Sequence, residues 1–301
     1  MLFSFLMKVK IDLNVSLEEN ASRYYEAAKK AKKKIQGVNK TLDSFRKKQD
    51  DSLAKAKEAP SRIKKLKLNQ GYWFEKFKWF LTSEGFLVVG GRDATTNEIL
   101  IKKHTLKEDI VFHTEMAGSP FVIIKKQSAE DVGNVLGREI TQPKEIGEAS
   151  LQEAAAFTLS HSKAWKLGLG GAEVFYVSPD QISKEANSGE YISKGSFMVR
   201  GKRNFVQTEF AFGLGISKKS EDETSKNVLL SGPITALETY CDAIIQIDPG
   251  RDKASGVAKL VQSFFRKKME RDVHVDDVIK LLPSGGCQVK KARKTKAELG
   301  L

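Results

Sequence analysis

The chain has 301 residues, 40% of them hydrophobic, enough for one large domain or two modest ones with real cores. It has no apolar run near the roughly 18 residues of a membrane helix, which excludes a helical membrane protein. Its two cysteines, Cys241 and Cys287, are too few for a disulfide scaffold or a Cys-rich zinc site. Lys and Arg outnumber Asp and Glu by 51 to 38, a net +13 that points to a polyanionic partner, nucleic acid before anionic membrane.

The first residues, Met1 to Met7, are apolar but carry no basic leader and no small-residue cleavage site. With the low cysteine usage, the expectation is a cytoplasmic protein without membrane attachment. Val9 to Leu13 alternates like a short strand. Ser16 and Glu19 then have capping-box spacing, each side chain able to satisfy a backbone N–H of a first helical turn. Leu17, Ala21, Tyr24, Ala28, Ala31, Ile35, Val38, Leu42 and Phe45 recur at spacings of 4 and 3, a seam of about four heptads. Helix formers continue to about Glu58, and Pro60 ends the run. Some 40 helical residues would reach about 60 Å, an arm that needs a partner helix or a surface of its own domain. Between Arg23 and Lys67 lie 16 basic and 5 acidic residues, so one segment holds +11 of the chain's +13. A merely solvated helix face usually mixes its signs.

Tyr72 to Phe80 is densely aromatic, and at helical spacing Trp73, Phe77 and Phe80 share a core-facing side. The period then shifts to 2. Phe86 to Val89, Glu98 to Lys103, Ile110 to Thr114 and Phe121 to Lys125 read as strands. Ser150 and Glu153 repeat the capping spacing before a helix from Leu151 to about Trp165. Further strands follow at Val174 to Val177 and Phe197 to Arg200. A polar, acidic stretch over 217–227 reads as a linker. Beyond it lie strands at Val228 to Leu230 and Ala243 to Ile247, a turn at Asp248-Pro249-Gly250, and helices at Ala254 to Met269 and Asp276 to Leu282. A basic cluster closes the chain (Lys290, Lys291, Arg293, Lys294, Lys296). The expected class is α+β: a basic coiled-coil helix over 1–70, a mixed α/β RNA-binding domain over 71–216, the linker, and a small α/β module over 228–301.

No catalytic constellation emerges. There is no G-x-S-x-G elbow, no H-E-x-x-H and no Walker motif. Gly168 to Gly171 precedes a strand instead of joining strand to helix, so it is no dinucleotide loop. His104 and His113 fall on neighbouring predicted strands without a third ligand. The expectation is a binding protein and not an enzyme, with no cofactor and no metal. The loops between strands are more telling, because they mix aromatics with Arg, Lys and Asn. Rings can stack on splayed bases, cations hold phosphates, and amides read base edges. These loops nominate Arg92, Ser162, Lys163, Trp165, Gln181, Lys184, Arg200, Lys202, Arg203 and Asn204 as one RNA-facing surface. The arm contributes Lys29, Lys30 and Lys33. Rings held in the core, with charges serving solubility, is the competing reading.

The stretch from Trp73 to Phe205 closely resembles the NFACT-R domain, the RNA-binding module of the NEMF/RqcH family of ribosome-associated quality control. The resemblance runs through W-F-E-K-F-x-W-F (Trp73 to Phe80), G-G-R-D (Gly90 to Asp93), Asn97-Glu98, D-x-x-x-H (Asp109, His113), S-K-A-W (Ser162 to Trp165), Q-I-S-K (Gln181 to Lys184), G-E-Y (Gly189 to Tyr191) and G-S-F-M-V-R-G-K-R-N-F (Gly195 to Phe205). It adds His113 to the nominated RNA contacts. The arm is similar to the family's coiled-coil region, and Gly232 to Gly250 resembles its NFACT-C module more loosely. The chain departs from the pattern at Lys166, at Asn187 and at Met116 to Ser119. No NFACT-N segment is recognised, so the expected partners are large-subunit ribosomal RNA, tRNA, and either a separate chain carrying that half or a second copy. The resemblance implies binding to an obstructed large subunit and a part in untemplated C-terminal tailing of the nascent chain. A free-standing nucleic-acid module in RNA metabolism is the alternative.

Overall fold

A computed structural model describes residues 10–58, 64–65, 71–116, 118–137, 139–169, 172–185, 192–217, 228–269 and 271–293. Val9, Pro60, Asn187, Gly189 to Tyr191, most of the expected linker, Lys294 and Lys296 lie outside them. The chain divides into two compact units, Met1–Ser61 and Arg62–Leu301.

The first unit is built on helix α1, Leu17–Glu58. Its start is fixed by side chains. Ser16 Oγ accepts from the Glu19 amide at 3.1 Å, which is half of the expected capping box. Asn20 donates to the Asp12 and Ser16 carbonyls and accepts from the Asp12 amide, clamping the incoming chain onto the first turn. That clamp replaces the short strand expected here: residues 10–13 are irregular. The expected seam stands open, with Leu17, Ile35, Val38 and Leu42 all at least half exposed.

The second unit is α+β. Its elements run β1 (Lys64–Lys65), a 3-10 turn (Trp73–Lys76), β2 (Lys78–Leu81), β3 (Leu87–Gly90), α2 (Ala94–Lys103), β4 (Ile110–Thr114), β5 (Val122–Lys125), α3 (Ala129–Leu136), α4 (Glu148–Ser160), α5 (Lys163–Leu167) and β6 (Val174–Val177). They continue with β7 (Ile182–Ser183), β8 (Met198–Val199), β9 (Asn204–Val206), β10 (Phe212–Ser217), β11 (Leu229–Pro233), α6 (Ile234–Tyr240), β12 (Cys241–Asp252), α7 (Ala254–Met269), β13 (Arg271–Asp272), α8 (Val275–Leu281) and β14 (Cys287–Arg293). One antiparallel sheet has the order β2-β3-β5-β4-β6-β9, and another has the order β11-β10-β12-β14. Helix α4 touches β4, β5 and β6 of the first sheet and β10 and β11 of the second. Its Ala154-Ala155-Ala156-Phe157 run is buried all round, as a helix caught between two sheets must be.

Four expectations are corrected. Glu98 to Lys103 is not a strand but the end of α2, because Asp93 caps that helix: its carboxylate accepts from the Thr96 amide at 2.8 Å. Tyr72 to Phe80 is not one helix but a 3-10 turn followed by β2; Phe77 and Phe80 are buried as expected, but Trp73 is only half-buried and Phe74 is buried in its stead. Ser150 and Glu153 do not cap α4. Ser150 donates to Glu84 and Thr82, while Glu153 accepts from the Ser83 amide and the Thr235 hydroxyl. Asp248-Pro249-Gly250 is no turn but part of β12, which bulges there against β14.

The C-terminal segment is no separate module by contact. Phe80, Phe157 and Trp165 share one hydrophobic cluster with Phe212, Val257, Phe265 and Leu281. β10, placed by sequence in the RNA-binding domain, is a central strand of the C-terminal sheet. Tyr240 donates to the Thr82 carbonyl at 2.6 Å, and Lys78 Nζ donates to the carbonyls of Lys280 and Leu282, both at 2.8 Å. The segment closes the core of the domain that precedes it. Among the described residues no helix is long and apolar enough to cross a membrane.

Candidate nucleic-acid interface

A cleft of about 760 Å3 opens in the second unit. The loop from β3 into α2, the end of β4 with the turn after it, the junction of α4 and α5, and the loop around β8 all meet there. Five cationic side chains line it (Arg92, Lys163, Lys166, Lys194, Arg203) against two carboxylates, Asp93 and Glu115. Both carboxylates are committed. Asp93 caps α2, with its pKa held low first by the Thr96 amide hydrogen bond. Glu115 is ion-paired to Arg203. Lys163, Lys166 and Lys194 are exposed and make no hydrogen bond or ion pair among the described residues. They are the uncommitted cations of the cleft.

The wall is aromatic. The His113 ring lies 4.4 Å from Phe121, Phe197 meets Phe121 edge-on at 5.4 Å, and the Arg203 guanidinium sits 4.9 Å from the Phe175 ring centre. Phe121 and Phe175 are buried while Phe197 and His113 are half-buried, so the rings are less exposed than the three lysines.

The cleft gathers Arg92, His113, Ser162, Lys163 and Arg203 from the sequence nominations, but most of these are already engaged. Arg92 donates from Nη2 to the Glu75 and Phe77 carbonyls at 3.1 and 2.8 Å, closing the 3-10 turn, and burial pulls its pKa down. Both His113 nitrogens face backbone carbonyls, Thr114 at 2.6 Å and Ser119 at 3.2 Å, and burial lowers its pKa. Ser162 is buried as the N-cap of α5, donating to the Leu159 carbonyl and accepting from the Ala164 amide.

Six of the loop nominations do not line the cleft. Trp165 is corrected outright. It is 1% exposed and its indole N–H donates to Gly286 at 3.1 Å, so it is a core ring and offers no face to a base. Gln181 accepts from the Ser178 amide and donates to the carbonyls of Arg200 and Lys202, fixing the β7–β8 hairpin. Lys184 donates to the Ser193 and Ser196 carbonyls and lies over Phe197. Both are braces. Arg200, which reaches the Glu185 carbonyl, Lys202 and Asn204 are exposed. Lys29, Lys30 and Lys33 are exposed on α1, in the other unit.

Sequence reading missed Lys194, Lys166 and His161. Lys166 stood out only as a departure from a family pattern. Lys194 carried no signal beyond its place before Gly195. That glycine has φ +79°, and a Cβ there would come within 2.4 Å of Ala94 Cα, so the backbone beside Lys194 must lie flat against the start of α2. His161 lies in the cleft wall between Phe157 and Phe212, its Nε2 buried without a partner, and burial holds its pKa well below 6.5. No group of three or more His, Cys, Asp or Glu side chains able to hold a metal occurs among the described residues.

Residues 76–201 match the family model described as NFACT protein RNA binding domain. These residues carry an NFACT-R domain. The chain is 37% identical over 233 residues to the archaeal Rqc2 homolog aRqcH of Methanocaldococcus jannaschii, covering 76% of this chain and 31% of that one. To the ribosome quality control complex subunit NEMF homolog of Drosophila melanogaster it is 36% identical, covering 80% and 22%. To human ribosome quality control complex subunit NEMF it is 35% identical, covering 64% and 16%. The chain thus spans about a third or less of the length of these relatives. Their similarity reaches past the matched domain, in keeping with the shared core that joins residues 71–217 to the C-terminal sheet.

Proposed function

We propose that this chain is an RNA-binding component of ribosome-associated quality control. It engages ribosomal RNA and tRNA on an obstructed large subunit and takes part in untemplated C-terminal tailing of the stalled chain. The observation that carries this reading is the cleft in which Glu115 is ion-paired to Arg203 and Asp93 caps α2, while Lys163, Lys166 and Lys194 stand exposed without a hydrogen bond or ion pair among the described residues. The lysine-rich helix α1 adds a sequence-independent attraction for phosphate that weakens with salt. The names of the relatives support the pathway. In this reading the protein forms no covalent bond itself, acts in the cytoplasm, and leaves peptide transfer to the ribosome.

The reading includes a partner for α1. Leu17, Ile35, Val38 and Leu42 leave an apolar seam in water, at roughly 25 cal/mol per Å2 unburied. A second helix, from a chain carrying the N-terminal half of the longer relatives or from a second copy, would cover it. Size-exclusion chromatography with and without the candidate half separates these two cases. Co-sedimentation tests the ribosomal reading. The chain should travel with large subunits at modest salt and be released at high salt. Binding to free RNA with no association with subunits would favour a free-standing module of RNA metabolism.

A further inference from the structure

The cleft has features that a double helix would leave unused. Its volume falls within the roughly 300–1,000 Å3 typical of sites that enclose a small molecule. Its rings are buried or half-buried while its three lysines are exposed, so a phosphate backbone passing over the rim meets the lysines and not the ring faces. A base stacked and paired within a duplex cannot reach them. A base that has left its stack can, and aromatic or guanidinium planes are what such bases stack on.

The wall is fixed before any ligand arrives. Arg203 is held over Phe175 by its ion pair with Glu115. Phe197 packs T-shaped with Phe121 and carries the ammonium of Lys184 4.8 Å from its ring centre, and that ammonium is itself anchored by two carbonyls. A preformed wall loses little freedom on binding.

We propose that the cleft receives one unpaired nucleotide of an RNA, its base against the wall of Phe197 and the Arg203–Phe175 pair, its phosphates on Lys163, Lys166 and Lys194. This rests on the RNA-binding reading above and specifies the kind of RNA. The neutral imidazole of His161, unpartnered at Nε2, lies in the same wall beside any base held there. A lone flipped or bulged nucleotide fits better than a long single strand, because the site gathers its rings and its free cations in one cleft and not along a track.

The test compares two RNA hairpins of equal length at equal salt, one fully paired in its stem and one with a single-nucleotide bulge. Both carry the same tight loop, and affinity is read by anisotropy. The full chain should bind the bulged hairpin about tenfold more tightly, the scale of one base stacked on an aromatic ring. Phe197→Leu keeps an apolar side chain but removes the ring face and should bring the ratio close to one. Should Phe197→Leu fold poorly, the exposed pair Lys163→Ala and Lys194→Ala serves instead and should also lower the ratio. Equal binding of both hairpins by the unaltered chain overturns this inference but leaves RNA binding standing. A preference that survives the variants places the nucleotide elsewhere and overturns it as well. Binding of neither hairpin overturns the RNA-binding reading and this inference together.

Discussion

Helix α1 and the cleft are both rich in lysine and arginine, yet they present charge in opposite ways. On α1, Lys29, Lys30 and Lys33 stand exposed in water, and among the described residues their one ion pair is a loose 3.9 Å contact of Lys29 with Glu26. In and beside the cleft half of the cations are braces: Arg92 and Lys184 hold carbonyls, Arg203 holds Glu115, and three lysines are left over. Solvated charge supplies affinity that salt removes, whereas charge fixed in a fold shapes a surface and sets which ligand fits it. Counting basic residues therefore locates the attraction but not the selectivity.

The largest effect expected from breaking this division is at Trp165. If it is a core ring, Trp165→Ala should cost about 3–5 kcal/mol of stability, seen as a large fall in denaturation midpoint. A variant of unchanged stability with weakened RNA binding would restore it to the interface. Next comes charge reversal on the arm. Lys29→Glu, Lys30→Glu and Lys33→Glu together should weaken binding at low salt by at least tenfold and flatten the salt dependence by up to about three counterions, with no change in the unfolding of the second unit. Gln181→Ala should cost about 1 kcal/mol by releasing the β7–β8 hairpin while leaving the salt slope as it was.

The last effect is a pH dependence. Burial, aided by the charge on Arg92, lowers Lys78 from 10.5 to about 7 in the folded protein. Between about pH 7 and 10.5 the unfolded chain therefore holds more protons, and stability rises with pH. His161, depressed from 6.5 by burial, works in the same sense at lower pH, its contribution being full above 6.5 and fading as pH falls. Unfolding curves at pH 7 and pH 9 for the unaltered protein and for Lys78→Met should show the unaltered protein gaining more. Equal gains would mean Lys78 stays charged when folded.

The parts of the molecule legible in the sequence were those set by periodicity. The seam and capping serine gave α1 its bounds, and α7 was expected at Ala254–Met269, where it lies. Elements set by single side chains were not legible. α2 depends on Asp93 closing the turn over Thr96, while its Ala94-Thr95-Thr96-Asn97 start looks no more helical than extended. The motifs that carried the resemblance were visible, but their roles were not. In Gly90 to Asn97, Gly91 is small because Asn97 Oδ1 would lie 1.8 Å from its Cβ. Arg92 closes a turn, Asp93 caps, and Asn97 accepts from the Phe121 amide. Asp109 likewise is buried, paired to Lys125 and accepting from the Leu106 and Lys126 amides. A motif of charged and polar residues thus read as ligand-facing when much of it builds the wall behind the ligand. The cations left free, Lys166 and Lys194, were overlooked because only the fold brings them to the same opening.

The central claim is that the arm sets how tightly RNA is held and the cleft sets which RNA. The most direct test measures the affinity ratio of bulged to fully paired hairpin in the chain with Lys29, Lys30 and Lys33 reversed to Glu. Both affinities should fall by the same factor, leaving the ratio at its unaltered value. A ratio that collapses toward one as the arm is reversed would contradict the division of labour, because the selectivity would then reside in the arm.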